Sequence, residues 1–190
     1  PEDQAVRPEA VGCLLPLSGS FALYGQEVLN GVQLALTKLA QQGTRVQLIV
    51  RDTRGSAEEA ALLVKDLAVG RNVISLIGPL ASRSSLSAAR KAQEIGVPII
   101  ALTQREGITA QGDMVFQNFL TPAVEVDRLV QRATRQMGFS RFAILYPDTA
   151  YGRTLTNLFW DRVEEAGGSV TAVEAYKPEE TDFAVEIKKM

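Results

Sequence analysis

The side chains best suited to chemistry are grouped where short apolar runs give way to turns. Ser18, Ser20 and Tyr24 lie in the stretch from Pro16 to Gly25; Ser82, Ser84 and Ser85 follow Gly78-Pro79; Gln104 and Arg105 follow Leu102; and Tyr151 follows Pro147-Asp148. Where a strand feeds a helix, the first backbone N–H groups of the helix lack partners and favour an anion such as a carboxylate. Serine hydroxyls add donors there, and a tyrosine adds an aromatic face with a polar tip. Each group also has a plain structural use. A serine at a helix start can simply cap it, the reading preferred for Ser84 and Ser85, and either tyrosine can pack as half-buried filler.

Other chemistries are excluded by what the sequence lacks. It has no histidine, which removes Ser-His-Asp and Cys-His catalysis and histidine metal sites together. Its single cysteine, Cys13, lies inside an apolar run and reads as a small buried strand residue. No strand–helix junction carries a Walker loop or a Gly-x-Gly-x-x-Gly turn. Asp52 ends a strand, as a phosphorylated receiver aspartate does, but Pro16-Leu17-Ser18 stand where a receiver needs acids after its first strand. Carboxylates such as Glu125 and Asp127, or Glu164 and Glu165, fall on polar helix faces as solvated charge. The expectation is therefore no enzyme, no metal and no cofactor. With 20 basic and 22 acidic residues the formal net charge is −2, which gives no electrostatic case for nucleic acid or an anionic membrane. No apolar run approaches the roughly 18 residues of a membrane span. Residues 1–10 are polar and proline-bearing and read as a linker or leader, not a signal peptide.

The elements that must position these groups alternate along the chain. Val11 to Leu15 reads as a strand, followed by a helix from about Gln26 with Val28, Val32, Ala35, Leu36 and Leu39 on one face. Val46 to Val50 is a second strand, and Ser56 with Glu59 forms a capping box opening a second helix. Val73 to Ile77, a helix from the serines to about Ile95, Ile99 to Leu102 and Met114 to Asn118 continue the series. Such alternation predicts an α/β fold with a parallel sheet covered by helices on both faces. The register then restarts at Thr121-Pro122, a threonine cap with proline at the first helical position. That helix should turn Val126, Leu129, Val130, Ala133 and Met137 inward. A strand from Phe142 to Tyr146, a helix over 152–166, a strand from Val170 to Tyr176 and a helix capped by Thr181 or Asp182 follow. Two lobes are expected, 11–119 and 120–190, the second incomplete because a helical pattern is still running at Met190.

Several motifs together carry a resemblance. Leu14-Leu15-Pro16-Leu17-Ser18-Gly19, Tyr24-Gly25, Asn30-Gly31, Ile77-Gly78-Pro79, Gly96-Val97-Pro98-Ile99-Ile100, Tyr151-Gly152 and Thr181-Asp182-Phe183 resemble, in order, type I periplasmic binding proteins of the leucine/isoleucine/valine-binding branch. The resemblance implies two Rossmann-like lobes that trap a small ligand by hinge closure. It implies that Tyr24 packs on the ligand, Ser82 grips a carboxylate, Leu102 offers backbone groups, Gln104 replaces the usual hydroxyl residue, and Tyr151 is the second lobe's aromatic; Ser18, from the strand-to-helix junction itself, reads as part of one wall of the site. Ala101, where serine is usual, and Gln104-Arg105 depart from the pattern. The implied function is non-enzymatic capture of an amino-acid-like solute for an ABC-type transporter permease, in the periplasm or another extracytoplasmic space. The opening is also similar to a lipoprotein branch that activates penicillin-binding proteins. That alternative implies a cell-wall synthase as partner and a lipid anchor on the full-length protein.

Overall fold

A computed structural model describes residues 6–190. Residues 1–5, half of the stretch read as a linker or leader, lie outside the described residues. The other half is not linker. Strand β1 runs Arg7–Leu15, because the Arg7 N–H donates to Asn72 O at 2.8 Å and Arg7 pairs in register with Val73.

The chain divides into two compact units, one ending at Phe119 and the other Leu120–Met190. In the first, β1, β2 (Gln47–Asp52), β3 (Val73–Ile77), β4 (Ile99–Ala101) and β5 (Val115–Gln117) form one sheet ordered β2-β1-β3-β4-β5. All four pairings are parallel. Side chains alternate across β1. Ala10 and Leu14 join the core formed with α2 (Ala57–Lys65) and α3 (Ser82–Ile95), through Ala60, Val64, Ala88, Ala89 and Ala92. Cys13 and Leu15 join the opposite face, where Leu29 of α1 (Ala22–Gln41) is buried. The alanines of α2 and α3 let those helices approach closely. Gly12, on the same face of β1 as Ala10 and Leu14, leaves room for Leu76 and Leu67: a Cβ there would lie 2.6 Å from Leu76 Cδ2 and 2.9 Å from Leu67 Cδ1.

Helix α1 departs from expectation twice. It begins at Ala22 rather than near Gln26, with Phe21 at the cap position and no serine capping it. Gly25 explains the early start, since a Cβ there would come within 2.1 Å of Pro16 O. The first turn can therefore press onto the preceding loop. Its buried residues are Gly25 and Leu29, while Ala35 and Leu39 of the expected face are exposed. Ser56 does cap α2, accepting from Glu59 N–H at 3.3 Å, and that helix extends through a π-helical turn, Asp66–Gly70.

The second unit comprises α4 (Pro122–Gln131), β6 (Arg141–Pro147), α5 (Ala150–Glu165), β7 (Ser169–Tyr176) and α6 (Ala184–Lys189). Among the described residues its sheet is the parallel pair β6-β7. Thr121 caps α4, accepting from Val124 N–H. The core is small: Val126, Val130 and Val163, with Phe142, Leu155, Leu158, Phe159 and Val170 packed against it. Leu129, expected inward, is 57% exposed, and Met137 is exposed as well. The apolar stripe of α4 is narrower than its spacing suggested. At α6 the cap position falls on Phe183, and Asp182 instead accepts from Ala184 N–H at 3.0 Å.

Candidate ligand-binding site

In a sheet ordered 2-1-3-4-5 the strand order reverses between β1 and β3, and ligands bind in the crevice outside the carboxyl ends there. The loops leaving those two ends carry Ser18 and lead to Tyr24 on one side and Ser82 on the other. The loop after β4 carries Leu102, Gln104 and Arg105. Five of the six expected residues therefore share one edge of the first unit.

Each is held differently. Asp52, ending β2, accepts from the N–H groups of Leu17 and Arg54, both at 2.8 Å, and from the hydroxyl and N–H of Ser18. Burial alone would raise this carboxyl, but these donors hold it below its ordinary range. Ser18 is thus bound to Asp52 and fixes the β1–α1 loop. Tyr24 stands in the first turn of α1, 64% exposed. Tyr151 stands in the first turn of α5, 61% exposed. Each precedes a glycine pressed on a proline carbonyl: a Cβ on Gly25 or Gly152 would lie 2.1 Å from Pro16 O or Pro147 O respectively. The same device presents one tyrosine at a strand's carboxyl end in each unit.

The β3–α3 loop corrects the expected role of two serines. Ala81 occupies the cap position of α3, with no side-chain cap. Ser84 Oγ donates to Ala81 O at 2.9 Å and Ser85 Oγ to Pro79 O at 3.0 Å. Both serines are buried and both bolt the loop to the helix from inside, where a capping oxygen could not reach the first free N–H groups. Ser82 alone of the three is exposed. Its Oγ accepts from Arg105 Nη1 at 3.0 Å, a contact that no sequence spacing announced. Leu102 is half-buried, and its N–H is committed to Pro79 O at 3.1 Å, which leaves its carbonyl facing no donor among the described residues. Gln104 is exposed and makes no side-chain hydrogen bond among the described residues.

Arg105 is anchored through its backbone. Its N–H donates to Thr103 Oγ1 at 3.2 Å, and Gln117 Nε2 donates to Thr103 O at 2.7 Å and Arg105 O at 3.0 Å. Thr103 is buried at 2% exposure. Arg105 and Arg83 also line a groove of about 440 Å³ with Ala57, Ala61, Leu86 and Arg90. Elsewhere, burial pushes the Cys13 thiol up to about 12, so it stays protonated and unreactive near neutral pH. No group of three or more potential metal ligands occurs among the described residues, and no helix there is long and apolar enough to cross a membrane.

A parallel sheet with this order, bearing hydroxyl, guanidinium and phenol groups at its switch-point edge, belongs to the α/β class that takes ligands at strand carboxyl ends. A family model described as "Periplasmic binding protein" matches residues 9–190, and the chain belongs to that family. It is similar to the Leu/Ile/Val-binding protein BraC3 of Rhizobium johnstonii, at 25% identity over 183 residues, covering 92% of this chain and 49% of that protein. Among solved structures it resembles one from Rhodospirillum rubrum assigned as a branched-chain amino acid ABC transporter, with TM-score 0.81 and 23% identity, over 96% of this chain and 54% of that one. It also resembles the branched-chain amino acid transporter substrate-binding protein LivJ of Streptococcus pneumoniae, solved with isoleucine, with TM-score 0.61 and 23% identity, over 97% and 54% of the two chains. The chain spans about half the length of the curated relatives it matches.

Proposed function

We propose that this chain is the ligand-binding part of an extracytoplasmic solute-binding protein that captures a small amino-acid-like solute for an ABC-type transporter permease. It binds without turnover. The observation that carries the reading is the exposed Ser82 hydroxyl at the β1/β3 switch point, beside the uncapped start of α3, within a family of periplasmic binding proteins. The relatives named for leucine, isoleucine and valine support the solute class.

In this reading Ser82 holds the ligand's carboxylate, Leu102 offers its carbonyl to the ligand, and Gln104 supplies an amide. Tyr24 packs on the ligand's apolar part, Ser18 keeps the β1–α1 loop in place, and Tyr151 serves from the second unit. A hydrogen bond to a charged group contributes roughly 1.5–3 kcal/mol. Ser82→Ala should therefore weaken binding by about ten- to a hundredfold while leaving the fold intact. Ser87→Ala, further along the same helix, should change affinity little. Calorimetry of the full-length protein with an amino-acid panel tests this. Equal affinity in the parent and Ser82→Ala would refute the assignment.

A further inference from the structure

We propose that the ligand taken at Ser82 is a net anion, an organic acid with no compensating ammonium, and that Arg105 is the residue that selects it. This rests on the solute-binding reading of the same edge, with Ser82 on the ligand's carboxylate, and departs from it in replacing the amino-acid-like solute with a plain carboxylic acid.

The contact between Arg105 Nη1 and Ser82 Oγ at 3.0 Å uses the serine oxygen as acceptor. The serine's own hydrogen is left to point at a ligand oxygen. The remaining guanidinium N–H groups have no acceptor among the described residues, and a guanidinium fork fits a carboxylate through two parallel bonds. The pair thus offers three convergent donors and one full positive charge. Three hydrogen bonds fix the backbone around Arg105, and the contact with Ser82 holds the guanidinium itself, which reduces what binding must order.

The surrounding charge points the same way. Neither Arg105 nor Arg83, in the first turn of α3, belongs to an ion pair among the described residues. Asp52, the carboxylate ending β2, is already saturated by Leu17, Ser18 and Arg54. Glu106, the neighbour of Arg105, carries the opposite charge but forms no ion pair with it, and Glu94, on the same groove, is paired with Lys91. An unneutralised pair of arginines on a chain of formal net charge −2 is a local departure from the background. A zwitterion would bring its ammonium toward those guanidinium groups. A carboxylic acid anion would not.

Calorimetry of the full-length protein with 4-hydroxybenzoate, succinate and leucine as probes tests the proposal, on the parent and on Arg105→Gln, Arg105→Lys and Arg90→Gln. At least one acid should bind more tightly than leucine. Arg105→Gln should weaken that acid by roughly ten- to a hundredfold, Arg105→Lys should recover part of the loss, and Arg90→Gln, two turns along α3, should change little. Tighter binding of leucine than of both acids, unchanged or strengthened by Arg105→Gln, would overturn the proposal. If Ser82→Ala still weakened leucine then, the solute-binding reading would stand without it. No binding of any of the three probes would also overturn it, and the wider amino-acid panel with Ser82→Ala would decide the broader reading separately.

Discussion

Asp52 shows how much of the candidate edge depends on residues that never touch a ligand. Its carboxylate gathers the β1–α1 loop and the start of the β2–α2 turn through backbone donors from Leu17 and Arg54. These lower its pKa from the ordinary 3.8. A depressed folded-state value means that the carboxylate contributes stability above its unfolded pKa and loses that contribution as pH falls through the folded one. Asp52→Asn should therefore reduce stability near about pH 7 and flatten the acid limb of the stability curve below about pH 4. Urea melts of both proteins across that range check it. The sequence made Asp52 visible as a strand-ending acid, but its partners were hidden. The backbone N–H of Leu17, far away in the sequence, leaves no trace in side-chain identity. Arg105 was legible only as a departure from a family pattern, because its reach to Ser82 depends on how β3 and β4 lie side by side.

At the scale of elements, α1 tests the packing account. Its seat on the sheet is Leu29 and the bare Gly25, not the wider stripe that its periodicity suggested. Leu29→Ala should cost roughly 2–4 kcal/mol, as buried leucine truncations do, whereas Leu34→Ala on the exposed side should stay within about 0.5 kcal/mol. Chemical denaturation distinguishes the two. Gly25→Ala should be worse tolerated than its size implies, since its Cβ would meet backbone rather than a movable side chain. The order and type of the elements through β7 were legible because Val/Ile/Leu runs, glycine stops and the Ser56 and Thr121 caps all agree. The start of α1 was not, because Ser-Gly-Ser suggested a loop and the true cap, Phe21, carries no capping signal. Leu129 was misplaced for a related reason. A residue at the edge of a stripe is buried only if a neighbour covers it, and among the described residues none does.

At the scale of the whole molecule, the two units differ in what holds them. The first has helices on both faces of a five-stranded sheet; the second has a strand pair and three buried valines. A two-stranded sheet is marginal without further cover, and regions with few buried apolar residues open at lower free energy. Hydrogen exchange of this chain should therefore find amides of β1 and β3 protected longest and those of β6 and β7 exchanging well before them. Equal protection in both sheets would show that the second unit draws stability from something other than its own core.

The most direct test of the central claim is an electron-density map of the full-length protein, crystallised as purified and again after soaking with the tightest ligand found by calorimetry. The account predicts an ordered small molecule at the carboxyl edge of the first sheet. One of its acid oxygens should lie within hydrogen-bond reach of Ser82 Oγ, and its apolar part should lie against Tyr24. Density for that ligand anywhere else on the molecule, with Ser82 and Tyr24 facing only water, would contradict it.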